Sequence, residues 1–426
     1  MKRILSLLLA VMMLSGVSAL TARAAEIDVL LNKLVEKGVL TPLEAQIIQD
    51  ETKQDVAEQI AKGTHNTLPS WLQTIKLKGD LRLRYQADEK ESDTSVRNRG
   101  RYRLRLGAYA QPHPDLAVGM RIATGSSNDS RSTNETMGDN FSKDDLWIDL
   151  AYAEYTPTTN FSLIGGKFKR KSYLWAATDL LWDGDINPEG VSAHVSYPLM
   201  GDTTLFGNAG AWLIDEKDGQ STSDTDPFLH YYQGGMKMKS GNLDGKLAAI
   251  YYGFDGVQGE PLDNSAESNT VIDTVINEKD VGLLVYDYDA VGASAEFGIK
   301  KLFGGLPMGI DNRIAVFGDY IQNISDNVEK DSGFAVGAKF GHKSVKKPGT
   351  WQMKYIYAEL EKDAFIDAYP DSDRYGGQTD IQAHELSWKY AWKKNVTFGL
   401  DYYHSDKLDA DSDAEDLLQA DLLIKF

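Results

Sequence analysis

From residue 75 to the C-terminus, apolar and polar residues alternate with a period of two in a series of short runs. In one of them, Tyr102, Leu104 and Leu106 alternate with arginines. A period of two is the spacing of a β-strand, so the two kinds of residue lie on opposite faces of a sheet. The pattern predicts about sixteen strands, near 75–86, 99–111, 115–124, 145–157, 160–169, 189–198, 203–215, 227–240, 244–254, 288–302, 309–322, 331–342, 350–361, 379–393, 395–405 and 414–426.

The connections between these predicted strands alternate in length. One set consists of tight turns such as "PHPD", "TPTT", "LMGD", "SGNL", "GGLP" and "KK". The other consists of longer acidic segments at 87–98, 125–144, 170–188, 216–226, 255–287, 323–330, 362–378 and 406–413. This alternation is typical of outer-membrane barrels. The sequence therefore predicts an all-β fold, an antiparallel transmembrane β-barrel of about sixteen strands over 75–426, with apolar faces toward lipid and polar faces toward a water-filled lumen.

The N-terminal part of the chain has a different pattern. Residues 1–24 begin with Lys2 and Arg3, continue with an apolar run and end at Ala22-Arg23-Ala24, which predicts a secretory signal peptide; a membrane anchor is the alternative. Residues 25–63 predict a helical periplasmic segment, and 64–74 a linker. A second helix of this segment is expected to open at Thr41-Pro42-Leu43-Glu44 with a capping box, after a first helix that ends at Gly38.

Composition narrows the class of protein further. The mean hydropathy of −0.38 excludes a helical membrane protein. The formal net charge is −18, and the leader carries three cations and no acid, so the remaining chain has a charge of −21. Nucleic acid is therefore not an expected partner, because binding it requires a basic surface. The chain contains no cysteine, so after export it must be held together without disulfides.

Three stretches carry a resemblance to known proteins. The final "LLQADLLIKF", which ends at Phe426, resembles the signal by which the assembly machinery recognises bacterial outer-membrane barrels. "LLNKLVEKGVLTPLEAQII" and "TDLLWDGDINPEG" resemble the uncharacterised "putative porin" family of Gram-negative outer membranes. The family implies passive transport and nothing more exact. The expected partners of the barrel are outer-membrane lipid and lipopolysaccharide. In architecture the chain resembles general-diffusion porins, which are trimers of sixteen-stranded barrels whose third long loop folds into the pore; here that loop contains "TDLLWDGDINPEG".

The candidate site consists of charged residues whose place in the alternating pattern puts them on the lumen face of the barrel. The first three predicted strands contribute a file of cations: Arg82, Arg84, Arg101, Arg103, Arg105 and Arg121. Like charges at close range need water or facing anions. The third long segment offers four such anions: Asp179, Asp183, Asp185 and Glu189. We expect a constriction in which a cationic wall faces an anionic loop; ordinary polar lining of a wide lumen is the alternative.

Motifs for other chemistry are incomplete. Asp183, Asp185 and Asn187 begin like a calcium loop, but Pro188 stands where glycine is required and His194 where a bidentate glutamate is required, so no metal site is predicted. The sequence has no G-x-S-x-G, no H-E-x-x-H and no cysteine nucleophile. We therefore predict a channel without cofactors and not an enzyme. The alternatives are a substrate-specific channel, an outer-membrane barrel enzyme that uses one of the scattered histidines, and a secreted β-protein such as a lectin or adhesin.

Overall fold

The structure is a computed structural model that describes residues 33–61, 75–138, 140–216, 226–276, 279–301, 313–409 and 413–426. It divides into two compact units, Met1–Gln73 and Thr74–Phe426. The predicted signal peptide, the linker and the "GGLP" turn lie outside the described residues.

In the first unit, helix α1 (Pro42–Ala61) begins at the predicted capping box. The backbone N–H and the hydroxyl of Thr41 donate to Glu44 Oε2 at 2.8 and 2.7 Å, and the Glu44 N–H donates to Thr41 Oγ1 at 3.3 Å. The preceding helical turn ends at Gly38, whose φ of 68° is in the left-handed region that favours glycine. Within the described ranges, no helix has the length and apolar character needed to cross a membrane.

The second unit is a closed antiparallel barrel. Its strands are β1 (Lys76–Lys90), β2 (Arg97–His113), β3 (Leu116–Ala123), β4 (Glu135–Thr136), β5 (Trp147–Thr158), β6 (Phe161–Lys167), β7 (Glu189–Pro198), β8 (Thr204–Leu213), β9 (Phe228–Ser240), β10 (Leu243–Asp255), β11 (Val271–Ile276), β12 (Lys279–Leu284), β13 (Ala290–Lys300), β14 (Arg313–Asn323), β15 (Ser332–Gly341), β16 (Trp351–Leu360), β17 (Ile381–Lys393), β18 (Val396–Lys407) and β19 (Glu415–Lys425). All but β4, β11 and β12 form the barrel wall, which makes sixteen strands. The barrel closes where β1 pairs with β19. The predicted fold class is confirmed.

The three additional strands lie in long loops and were not predicted. β4 is in loop L2 (124–146) and pairs with β2 at Arg101 and Tyr102. β11 and β12 form a hairpin in loop L5 (256–289). Two further loops are important below: L3 (168–188) between β6 and β7, and L7 (361–380) between β16 and β17.

The two faces of the barrel wall have the polarity of a membrane protein. On β1, the outward Leu83 is 40% exposed, whereas the inward Arg84 is 7% exposed. Exposed apolar and buried charged residues recur around the wall, which is the reverse of a soluble sheet. The predicted parity fails on β5, because a register shift opposite Arg121 lets both Asp149 and Leu150 point inward, so Leu150 is fully buried.

Part of the interior is a packed apolar core. Loops L3, L5 and L7 fold inward and pack against the wall from β6 to β16. The loops contribute Phe168, Trp182, Tyr288 and Phe365, among others, and the wall contributes Trp212, Tyr252 and Phe317. The sequence pattern predicts a polar inward face, but the inward face of these strands also carries apolar residues. A polar cavity of the lumen lies along β1, β2 and β17–β19.

Candidate functional site

Five of the six predicted arginines form one continuous surface, which we call the arginine wall. It consists of the inward residues Arg82 and Arg84 on β1 and Arg101, Arg103 and Arg105 on β2. The register places Arg82 opposite Arg103 and Arg84 opposite Arg101. All five line a cavity of about 780 Å³ in the lumen. Strand pairing alone brings these cations together.

Two aspartates on the same wall compensate part of this charge. Asp80 lies opposite Arg105 and accepts from Arg103 Nη2 at 2.8 Å and from Arg105 Nε at 3.0 Å. Asp421 on β19 accepts two hydrogen bonds from Arg84, at 2.7 and 2.8 Å, in a fork-to-carboxylate arrangement. Sequence analysis did not single out either aspartate. The available signal was that both aspartates occupy lumen-facing positions on β1 and β19, the two strands whose pairing closes the barrel.

L3 reaches the arginine wall directly through Asp185. Its Oδ1 lies 3.2 Å from Arg105 Nη1 and 3.8 Å from Arg103 Nη1, and its Oδ2 accepts from Thr133 at 3.1 Å. Burial raises the pKa of Asp185, but the two guanidinium groups more than offset this effect, so the net pKa lies below its usual value. At this point loop and wall are in direct contact.

The other two loop aspartates face L7. Asp179 Oδ1 accepts from Arg374 Nη2 at 2.5 Å, and the same nitrogen donates to Glu385 on β17 at 2.9 Å. Asp183 Oδ2 accepts from the N–H and hydroxyl of Ser372 at 3.1 and 3.0 Å. Arg374 and Glu385 are almost fully buried. The sequence pattern placed L7 among the long acidic segments and did not predict this contact.

Two predicted site residues are not brought to the arginine wall. Arg121 points inward but is buried and ion-paired with Asp149, away from the lining of the large cavity. Glu189 lies on β7 with the same outward parity as Val191, which is 52% exposed, and pairs with Lys167 at 2.7 Å. The expectation that Glu189 faces the lumen is corrected, because strand β7 begins at this residue and its parity turns the side chain outward.

L3 spans the lumen because the opposite wall holds its tip. Gln233 on β9 accepts from the Trp175 N–H at 3.0 Å and donates to its carbonyl at 2.7 Å. Asp319 on β14 accepts from the Ala177 N–H at 3.0 Å and from the Thr178 N–H at 2.5 Å. The loop therefore leaves β6, contacts β9 and β14, and returns past L7 and the arginine wall. Sequence analysis missed both anchors, since an inward polar residue on a strand carries no mark of its loop partner.

An aromatic cluster holds L3 against L7. The Trp182 ring stacks on Tyr369 with 4.9 Å between ring centroids and meets Phe365 edge-on at 5.5 Å. It also meets Trp212 on β8 at 5.6 Å, and its indole N–H donates to Tyr252 Oη at 3.1 Å. Such aromatic contacts add to the stabilisation from buried area. The cluster makes L3 and L7 one packed body on the inner side of the wall.

A closed barrel with an apolar outer face and a charged cavity along its inner face is the architecture of an outer-membrane channel of the porin type. The sequence matches the family model described as "Putative porin" over residues 35–98, 90–283 and 276–426. The chain belongs to this family, as its sequence motifs indicated. Membership and fold indicate a channel rather than an enzyme and place it in the outer membrane.

Three solved structures are similar to this chain at low sequence identity, and one of them has a TM-score above 0.5. OprB of Pseudomonas putida is similar at 10% identity, over 84% of this chain and 96% of that chain, with a TM-score of 0.53. OmpT of Vibrio cholerae, in its trimer form, matches at 12% identity over 83% and 100% of the two chains, with a TM-score of 0.45. A triple mutant of a Rhodopseudomonas blastica porin matches at 11% identity over 83% and 100%, with a TM-score of 0.42. No curated protein matches the chain in sequence.

We expect the buried carboxyl of Asp183 to make the lumen charge sensitive to pH. Burial, and then the neighbouring Asp185 carboxylate, raise its pKa from 3.8 to about 7. Since the folded loop favours the neutral form, the stability that this group contributes is complete below the ordinary value and is lost as pH rises through about 7. Between pH 6 and 8 we expect the K⁺/Cl⁻ permeability ratio to rise about twofold as Asp183 ionises.

Reversal potentials in planar bilayers, measured from pH 5 to pH 9 under a KCl gradient, test this prediction. The Asp183→Asn variant retains the size of the side chain and has no carboxyl to ionise, so its selectivity should stay level across this range. An identical pH step in the parent and in Asp183→Asn would assign the titration to another group.

Proposed function

We propose that the protein is a general-diffusion pore for small hydrophilic solutes, whose path runs along the arginine wall and past L3 and L7. The observation that carries this proposal is the charge balance of the large cavity. Among the described residues, its lining contains eleven arginine and lysine side chains and eleven aspartate and glutamate side chains. A polar surface with balanced charge hydrates solutes of either sign without favouring one strongly.

In this proposal L3 narrows the pore. Arg82, Arg84, Arg101, Arg103 and Arg105 form one side of the narrow region, and the L3 carboxylates Asp179, Asp183 and Asp185 form the other. The contact of Asp185 with Arg105 supports this arrangement, because it holds L3 against the arginine wall inside the lumen. L7 contributes to the same narrowing through Arg374. Acids outside the narrow region add a mild preference for cations that fades as salt rises.

We further propose that the barrel assembles as a homotrimer, contacts lipopolysaccharide with its long loops and is inserted by the assembly machinery through its last strand. In support of the last point, Phe426 takes part in barrel closure. Its backbone N–H donates to Gly79 O at 3.0 Å, and its carbonyl accepts from the Gly79 N–H at 2.7 Å.

Swelling of liposomes that contain the purified protein tests the proposed function. In a series of neutral sugars, the rate should fall steadily with solute mass and should not saturate with concentration. In planar bilayers, the same preparation should give a reversal potential close to zero in high KCl. Protein-free liposomes provide the baseline.

Two results would contradict the proposal. Absence of conductance from correctly folded protein would remove the channel itself. Swelling confined to one solute, with saturation, would favour a substrate-specific channel instead.

A further inference from the structure

Two members of the arginine wall, as the structure describes it, make no hydrogen bond to a carboxylate. Arg101 Nη1 donates to Gln86 Oε1 at 3.2 Å and its Nη2 to the backbone carbonyl of Asn134 at 3.5 Å. Within the part of the chain that the structure describes, no carboxylate oxygen lies within 4.0 Å of the Arg101 guanidinium. Among the described residues, the hydrogen-bond acceptors of Arg101 are therefore neutral oxygens.

Arg82 is in a similar position. Its Nε and Nη2 donate to Asn134 Oδ1 at 3.2 and 2.5 Å. The nearest carboxylate, Asp421, is 3.9 Å away and already accepts both hydrogen bonds of Arg84. Asn134 of L2 thus contacts Arg82 through its side chain and Arg101 through its backbone, so the two guanidinium groups are neighbours.

These two cations face open space in the lumen. Both line the cavity of about 780 Å³, and the Arg82 side chain is 14% exposed. Arg131 of L2 lines the same cavity and donates to the backbone carbonyls of Asp367 and Gly377, which are again neutral acceptors. Since a guanidinium has five N–H donors, these contacts leave donors on each group for a solute.

We propose that Arg82 and Arg101 form a binding site for a small oxyanion, a carboxylate or a phosphate, in the lumen of the channel. The planar guanidinium fork matches two oxygens of either group. Within this wall, three guanidinium groups donate hydrogen bonds to aspartates: those of Arg84, Arg103 and Arg105. The guanidinium groups of Arg82 and Arg101 do not. The inference rests on the proposed pore and deepens it, because it adds a site in the weakly selective channel at which small oxyanions bind during permeation.

Block of the single-channel current tests this site. The parent in KCl should be blocked in a concentration-dependent manner by added potassium succinate or potassium phosphate, and not by the same concentration of extra chloride. Block by either oxyanion supports the site and identifies the preferred group; block by neither overturns it. The half-blocking concentration should rise about tenfold or more in Arg101→Gln and in Arg82→Gln, because hydrogen bonds to charged groups are lost.

The matched control is Arg313→Gln, which removes an inward arginine that does not line this cavity. Arg313 is paired with Asp244 at 2.7 Å and with Glu296 at 2.9 Å. Its loss should leave the block unchanged, and an equal weakening by Arg313→Gln would overturn the assignment. Arg101→Lys retains the charge without the fork; parent-like block in this variant would overturn the bidentate geometry. A parent that does not conduct KCl refutes the pore, whereas one that conducts without block refutes only this site.

Discussion

The Arg101→Ser/Arg103→Ser/Arg105→Ser variant is expected to have a strong preference for cations, in contrast to the weak selectivity that we propose for the parent. The substitutions remove three cations from one lumen surface. They also leave Asp80 and Asp185 without guanidinium partners that lie 2.8 to 3.2 Å away in the parent. Because a low-dielectric wall focuses the field of its charges, we expect the K⁺/Cl⁻ permeability ratio to rise about tenfold. Reversal potentials under a KCl gradient measure this ratio, and the conductance should rise as well.

A control with the same change in formal charge separates local from general electrostatics. Lys346, Lys347 and Lys394 are exposed and lie in turns outside the strands. Their replacement by serine should shift selectivity only slightly, and that shift should fade at high salt. If the arginine variant shows no more change than the lysine variant, these arginines are not at the narrow part of the pore.

The second large effect is expected from Trp182→Ala. Trp182 is 2% exposed at the centre of the aromatic cluster that joins L3, L7 and the wall. Removal of a buried tryptophan leaves a large cavity and costs about 3–5 kcal/mol. The loss falls on the docking of L3 and L7, because the hydrogen-bond ladders of the barrel do not involve this side chain. Single-channel records should therefore show larger and noisier conductance from a barrel that still inserts.

The matched control for this prediction is Trp392→Ala. Trp392 is 51% exposed on the barrel wall, so its loss removes the same atoms without opening a cavity in the interior. Its conductance should match that of the parent. Equal, quiet conductance in Trp182→Ala and the parent would show that the aromatic cluster does not hold the loops in place.

Much of the barrel was predictable because its signals are local in sequence. The sixteen wall strands follow from alternation with a period of two and from the turn residues between the runs. Residue parity also placed Arg82 and Arg101 on the lumen side, and strand pairing then set them next to Arg103 and Arg84. The capping box at Thr41 is equally local, since its two partners are three residues apart.

The interior of the barrel was not predictable in the same way. Asp179 contacts Arg374 across 195 residues of sequence, and Arg84 contacts Asp421 across 337. Nothing in the local pattern of L3 or L7 distinguishes a loop that folds inward from one that stays in solvent. Trp182 and Phe365 pack together only because the barrel brings the two loops to the same place.

By itself, then, the sequence determined the sixteen wall strands, the apolar outer face of most of them and the class of protein, because period and turn chemistry depend on near neighbours. The tertiary structure decided which charges meet. It turned Glu189 outward, paired Arg121 with Asp149, brought Asp185 to Arg105 and left Arg101 with neutral partners. The physical reason is that an ion pair or a packed ring requires two side chains within a few ångströms, and in a closed barrel that distance depends on register, closure and loop docking.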